Sequence, residues 1–202
     1  MNCPRDFVLL KVDQKTDDRT LSGLYLYNGK LAFNDSTYNP NDRVRIYGEV
    51  VGIPSSLSSA AMNFSHNLLN ECDIEVKVGD KAYFYYIDFN DSNVIEHEGK
   101  TYLQVRYDSI ICLVRDGEIK TIAGHVLLTP SKKTEIYLLH SIEKVQNRVG
   151  IVAYAPTPYR GDDIEIEAGD TVHFYKDSEF ENEIEGKKYY AMRQEFIMAK
   201  VS

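Results

Sequence analysis

Apolar residues in this chain come in short runs with polar and glycine-containing breaks between them. FVLLKV (7–12), RIYGEVVGI (45–53), KAYFYYI (81–87), KTYLQV (100–105) and SIICLV (109–114) are rich in Val, Ile, Tyr and Phe. Such residues suit a pleated, half-buried surface. Gly-Asp and Asp-Gly pairs punctuate the runs. Gly takes the positive φ that a tight turn needs, and Asp bonds the backbone beside it. The pattern predicts an all-β chain of short strands.

The pattern is also written twice. VKVGDKAYF (76–84) returns as IEAGDTVHF (166–174), and EGKTYLQVRYDSIICLV (98–114) returns as EGKKYYAMRQEFIMAKV (185–201). Upstream, GEVVGIP (48–54) resembles VGIVAYAP (149–156), and DFVLLKV (6–12) resembles GHVLLTP (124–130). The blocks recur in one order, which chance explains poorly. The chain therefore reads as two copies of one domain, 1–116 and 117–202, joined near VRDGEIKTIAG (114–124). About five short strands in a unit of roughly 80–110 residues predict a small barrel that closes on itself to remove sheet edges.

The copies differ most between their first two strands. In the first copy this gap spans residues 14–43, polar at its ends but apolar in its middle, LYLYNGKLAF (24–33). Asn28-Gly29 between two apolar runs is a strong hairpin signal, because a type I′ turn needs positive φ at both central residues. Leu24 and Leu26 would lie on one face and Tyr25 and Tyr27 on the other, so the hairpin needs something to cover it. Two readings stand: a core hairpin of the barrel, or a docking segment. The length favours the second, since a connection of some 30 residues in a compact domain is usually functional or disordered.

The order of these motifs resembles the GroES-type co-chaperonins, the chaperonin-10 family. It runs from an early strand DFVLLKV, through a long loop with SGLYLYNG, to a returning GEVVG, the turn phrase VKVGDKAYF and a closing YDSIICLV. The resemblance covers nearly the whole chain, once per copy. It implies two tandem GroES-like small, partly open β-barrels, with a long mobile loop at about residues 14–43 of the first. The family's loop carries a Gly followed by a hydrophobic tripeptide, matched here by Gly23 and Leu24-Tyr25-Leu26. The resemblance implies that this tripeptide docks between two apical-domain helices of a GroEL-type chaperonin, the loop being disordered when free and a hairpin when bound. Tyr25 stands where the family usually has an aliphatic residue; its ring can be buried, but its hydroxyl must stay wet or bonded. The tandem arrangement is a second departure from the single-domain members, which form sevenfold rings.

In the second copy the gap holds Ile136-Tyr137-Leu138, an echo of the tripeptide without the preceding Gly or the polar arms. It reads either as an ordinary strand or short helix or as a second docking segment. Residues 54–71, Ser- and Ala-rich, fall where the family has a hairpin roofing the ring's opening. Here they read as a short helix with Ala60, Ala61, Phe64, Leu68 and Leu69 on its apolar face.

Charge and chemistry narrow the function. The net charge of -8 disfavours binding to phosphate backbones. No apolar run approaches the roughly 20 residues that span a bilayer, and the N-terminus does not read as a secretory signal. Cys3, Cys72 and Cys112 read as reduced thiols of a cytoplasmic protein, with Cys112 a small buried hydrophobe. The five histidines are scattered, and metal-site, nucleotide-loop and nucleophile-elbow motifs are absent. His66 and Cys72 alone do not make a zinc site. No enzyme activity, metal or cofactor is expected, ATP being bound and hydrolysed by the partner.

The expectation is a co-chaperonin: a homo-oligomeric ring that caps a GroEL-type chaperonin in a nucleotide-dependent way and assists protein folding. The alternative is a non-enzymatic structural or interaction protein, viral origin included, that uses the same barrel and hairpin on another partner.

Overall fold

The computed structural model describes residues 2–12, 26–27, 30–31, 47–57, 74–85, 88, 91–130, 148–157, 165–175 and 178–201. In chain order the strands are β1 (Asn2–Cys3), β2 (Phe7–Val12), β3 (Leu26–Tyr27), β4 (Lys30–Leu31), β5 (Tyr47–Pro54) and β6 (Lys81–Phe84). They continue with β7 (Val94–His97), β8 (Lys100–Arg106), β9 (Ile110–Arg115), β10 (Glu118–Thr121) and β11 (His125–Pro130). The last are β12 (Val149–Tyr154), β13 (Thr171–Phe174), β14 (Phe180–Ile184), β15 (Lys187–Arg193) and β16 (Ile197–Val201). The fold is all-β, as the apolar pattern predicts.

Two large sheets share one strand path. The first runs β7-β8-β2-β5-β6-β9-β10, with β1 added on β5; the second runs β14-β15-β11-β12-β13-β16. The repeated sequence blocks occupy matching strands. Neither sheet is a closed barrel: the end strands of each path do not pair with one another. The boundary expected at 116/117 falls in the turn between β9 and β10, two strands that pair in the first sheet (Ile119↔Val114, Thr121↔Cys112).

The repeated phrase makes the same turn twice. Gly79 and Gly169 have φ of 95° and 96°. Asp80 Oδ2 accepts from Lys77 N–H at 2.7 Å, and Asp170 Oδ2 from Glu167 N–H at 2.8 Å. Gly79 N–H donates to Val50 O, and Gly169 N–H to Val152 O, both at 2.8 Å. So each turn is laced to the second strand of its own sheet. A basic residue near the end of β9 or β16 then grips the Asp: Arg115 takes Asp80 with two 2.7 Å bonds, and Lys200 takes Asp170 at 2.8 Å.

The cores follow from strand alternation. Val8, Leu10 and Val12 of β2, Val50, Ala82, Phe84, Leu103 and Leu113 fill the first core. Val126 and Leu128 of β11, Val152, Val172, Phe174 and Met192 fill the second. A third cluster joins the sheets. Tyr83, Ile111 and Cys112 come from the first, and Leu127, Ile184, Tyr189 and Ala191 from the second. β6, β9, β11 and β15 are therefore apolar on both faces, which is why SIICLV and HVLL read as unbroken runs. Cys112 is fully buried, as expected, and burial pushes its thiol pKa well up.

Candidate docking hairpin and the junction between the sheets

Val12 ends β2 and Tyr47 begins β5, and the two strands are neighbours (Leu10↔Val50, Lys11↔Glu49). The long segment thus leaves and returns at one end of a single strand pair. Its root is tight. A Cβ on Gly48 would meet Lys11 O at 2.9 Å and Leu10 Cβ and Val12 Cγ1 at 3.0 Å. The second unit repeats this: Pro130 of β11 pairs with Gly150 of β12, where a Cβ would meet Leu128 Cδ1 at 2.9 Å.

Within the segment, β3 and β4 pair as an antiparallel hairpin, Leu26↔Leu31 and Tyr27↔Lys30. Only positions 28 and 29 separate them, the Asn-Gly pair from which the turn is read. Among the described residues the hairpin is a two-stranded sheet of its own, paired with no strand of either large sheet. Of the expected docking residues, Leu26 opens β3; Gly23, Leu24 and Tyr25 lie outside the described residues. So do Ile136-Tyr137-Leu138, His66 and Cys72, and the expected short helix from residue 58 onward.

The sequence reading missed the junction between the sheets and the polar pairs that cross it. The Tyr83 hydroxyl donates to Glu185 Oε1 at 2.8 Å and accepts from Glu185 N–H at 3.3 Å. Lys81 Nζ reaches the same carboxylate oxygen at 2.6 Å and keeps the Glu185 pKa below its ordinary value. Glu185 and Gly186 take φ of 49° and 76°, so the β14–β15 turn aims the Glu backbone and side chain together at Tyr83. The EGK repeat signals this turn, but nothing in it signals the partner across the sheets.

At the other end of the junction, Arg106 grips Asp108 with two 2.9 Å bonds, and Arg193 donates to Asp108 O at 2.9 Å. Thr121 hydroxyl donates to Ala155 O at 2.5 Å. Tyr85 stacks edge-on to Phe180 at 5.2 Å and tilts against His125 at 5.5 Å. His125 is fully buried, its Nδ1 2.9 Å from Ile122 O and its Nε2 without a partner. Burial, with Arg193 nearby, pushes its pKa down to about 3, so the imidazole is neutral. Asp88, partly buried, has its pKa pushed up to about 6 by loss of solvent.

This arrangement holds the two sheets together through an apolar cluster flanked by polar pairs. Among the described residues no three His, Cys, Asp or Glu side chains gather as a metal site, and no helix is long and apolar enough to cross a membrane. No curated protein matches the chain. Residues 118–201, the span of β10 through β16, match the family of the chaperonin 10 Kd subunit, Cpn10.

Proposed function

We propose that the chain is a tandem co-chaperonin, with residues 1–116 and 117–202 as its two units. In this reading it caps a GroEL-type chaperonin ring in a nucleotide-dependent way and assists folding without catalysing a reaction. The observation that carries the reading is the Cpn10 match over residues 118–201, on a strand path that the first sheet repeats. Leu24-Tyr25-Leu26 after Gly23 is the docking tripeptide, and the β3–β4 pairing around positions 28–29 supports a hairpin there. The family match also spans Ile136-Tyr137-Leu138, in a gap rooted like the first, so this second tripeptide is a further docking candidate.

Magnitudes suit a lid that cycles. Burying Leu24, Tyr25 and Leu26 would contribute roughly 1.5–3 kcal/mol each. Ordering ten or more loop residues costs about 1–2 kcal/mol per residue before new hydrogen bonds offset it. One loop alone binds weakly, and several in one homo-oligomeric ring bind tightly through effective concentration. ATP would be bound and hydrolysed by the chaperonin.

The test is co-elution with a GroEL-type chaperonin in ADP or ATP, beside a Leu24→Asp/Leu26→Asp variant. Nucleotide-dependent co-elution lost in the variant is the expected result. Co-elution kept in the variant moves the contact toward Ile136-Tyr137-Leu138. No co-elution with any chaperonin tried, that of the native host included, overturns the lid reading and leaves the interaction-protein alternative.

A further inference from the structure

The long segment of the first unit rejoins its sheet at Tyr47, the first residue of β5, and Tyr47 packs against the junction cluster. Its ring lies 5.4 Å from that of Tyr83, its pairing partner on β6. Lys81 Nζ lies over the Tyr47 ring, 4.2 Å from its centroid, and 5.2 Å from the centroid of Tyr83. The negative face of a tyrosine ring attracts a cation, so Lys81 holds the ring as well as its carboxylate partner. That carboxylate comes from the other unit. Glu185 Oε1 takes Lys81 Nζ at 2.6 Å and the Tyr83 hydroxyl at 2.8 Å. One side chain on the β14–β15 turn thus fixes both groups that Tyr47 rests on.

The second unit lacks this stack at the root of its own segment. The strand registers match one for one: Tyr47↔Tyr83, Gly48↔Ala82 and Glu49↔Lys81 in the first, Val149↔His173, Gly150↔Val172 and Ile151↔Thr171 in the second. Val149 offers no ring and Thr171 no cation. The second sheet makes the same three pairs without the stack, so pairing of the strands does not require it. The stack belongs to the unit whose segment carries Gly23 and Leu24-Tyr25-Leu26.

We propose that Glu185 is a positioning residue for the docking segment of the first unit: through Lys81 and Tyr83 it holds Tyr47, and so sets the place and direction in which the segment meets β5. Gly48 fixes the next residue, since Lys11 O, Leu10 and Val12 leave no room there for a Cβ. A root already held in one direction loses less conformational freedom on docking, which strengthens binding. The second unit then contributes to docking by the first, across the junction. The inference rests on the co-chaperonin reading for what the segment binds, whereas the hold on Tyr47 is geometry within the chain.

The test pairs two measurements on the intact protein. One is amide hydrogen exchange over residues 47–50 without a chaperonin; the other is titration of a GroEL-type chaperonin in ADP. The Lys81 and Glu185 side chains are 36% and 43% exposed, so variants there are expected to fold. Glu185→Gln and Lys81→Met should each speed the exchange and weaken docking by roughly three- to tenfold. Lys81→Arg keeps the cation and should leave both values near wild type. Arg193→Met removes the bond to Asp108 O at the other end of the junction, and should lower the urea midpoint without moving either value. Exchange indifferent to Glu185→Gln and Lys81→Met overturns the inference, and so does docking that falls as far in Arg193→Met. A wild type that docks while its exchange is indifferent keeps the co-chaperonin reading alone. A wild type that binds no chaperonin but shows the exchange pattern removes that reading and keeps the hold of Glu185 on Tyr47.

Discussion

Asp80 offers a controlled experiment, because the chain contains its own reference. Asp80→Asn keeps an acceptor for Lys77 N–H but removes the charge and the two-pronged contact with Arg115. Asp80 is 3% exposed and the Arg115 side chain 33%. A hydrogen-bonded charged pair contributes roughly 1.5–3 kcal/mol, and water can still reach Arg115, so the expected loss is about 2 kcal/mol. That corresponds to about 4–8 °C in Tm for a chain of this size. Asp170→Asn removes the matching contact with Lys200, whose side chain is 46% exposed, and should cost clearly less. The assay is urea unfolding followed by far-UV circular dichroism, since the chain has no Trp. Burial alone would raise the Asp80 pKa, but Arg115 and Lys77 N–H outweigh it and hold it below 3.8. Asp80 therefore stabilises the fold above the ordinary carboxylate pKa, and the contribution fades as pH falls through its lowered value. The gap between wild type and variant should narrow below about pH 4. Equal losses at the two aspartates, or a gap that widens in acid, would refute the reasoning.

Other outcomes follow from the same geometry. Gly48→Ala should cost about 1–3 kcal/mol, because its Cβ meets the backbone oxygen of Lys11. Gly150→Ala should cost less, because its Cβ meets side-chain atoms of Leu128, Cδ1 at 2.9 Å and Cβ at 3.0 Å, rather than a backbone oxygen; thermal melts of both variants check the order. Tyr83→Phe removes a hydroxyl that both donates and accepts at Glu185, and should destabilise the junction by about 0.5–1.5 kcal/mol per lost bond in urea titration. His125, lowered to about 3 when folded, costs stability as pH falls from 6.5, where the unfolded chain begins to take the proton. Asp88, raised to about 6, acts in the opposite sense as it takes up a proton, so the His125 contribution is read as the difference between wild type and His125→Phe across pH 3–7.

The sequence determined the strands, the turns and the fact of repetition, because all three are local. Gly-Asp fixes a positive φ and a backbone bond three residues back, wherever the rest of the chain lies. β3 and β4 pair across the two positions where the sequence has Asn-Gly. The family match falls on the second copy, although the first carries the fuller loop signature. Both sheets nevertheless keep the same strand path.

Only the tertiary structure decided how the copies meet. SIICLV and HVLL show that β9 and β11 are buried on both faces, but an apolar run does not name what covers it. The bulge between Tyr83 and Phe84 brings Ile111 and Cys112 onto one face, which alternation from sequence would have split. The Lys81–Glu185 pair and the Tyr83–Glu185 bonds join residues about a hundred positions apart, and no local pattern encodes that distance. Burial and charge pairing across a junction depend on two surfaces at once. A sequence read strand by strand shows each surface singly, and the fold brings them together.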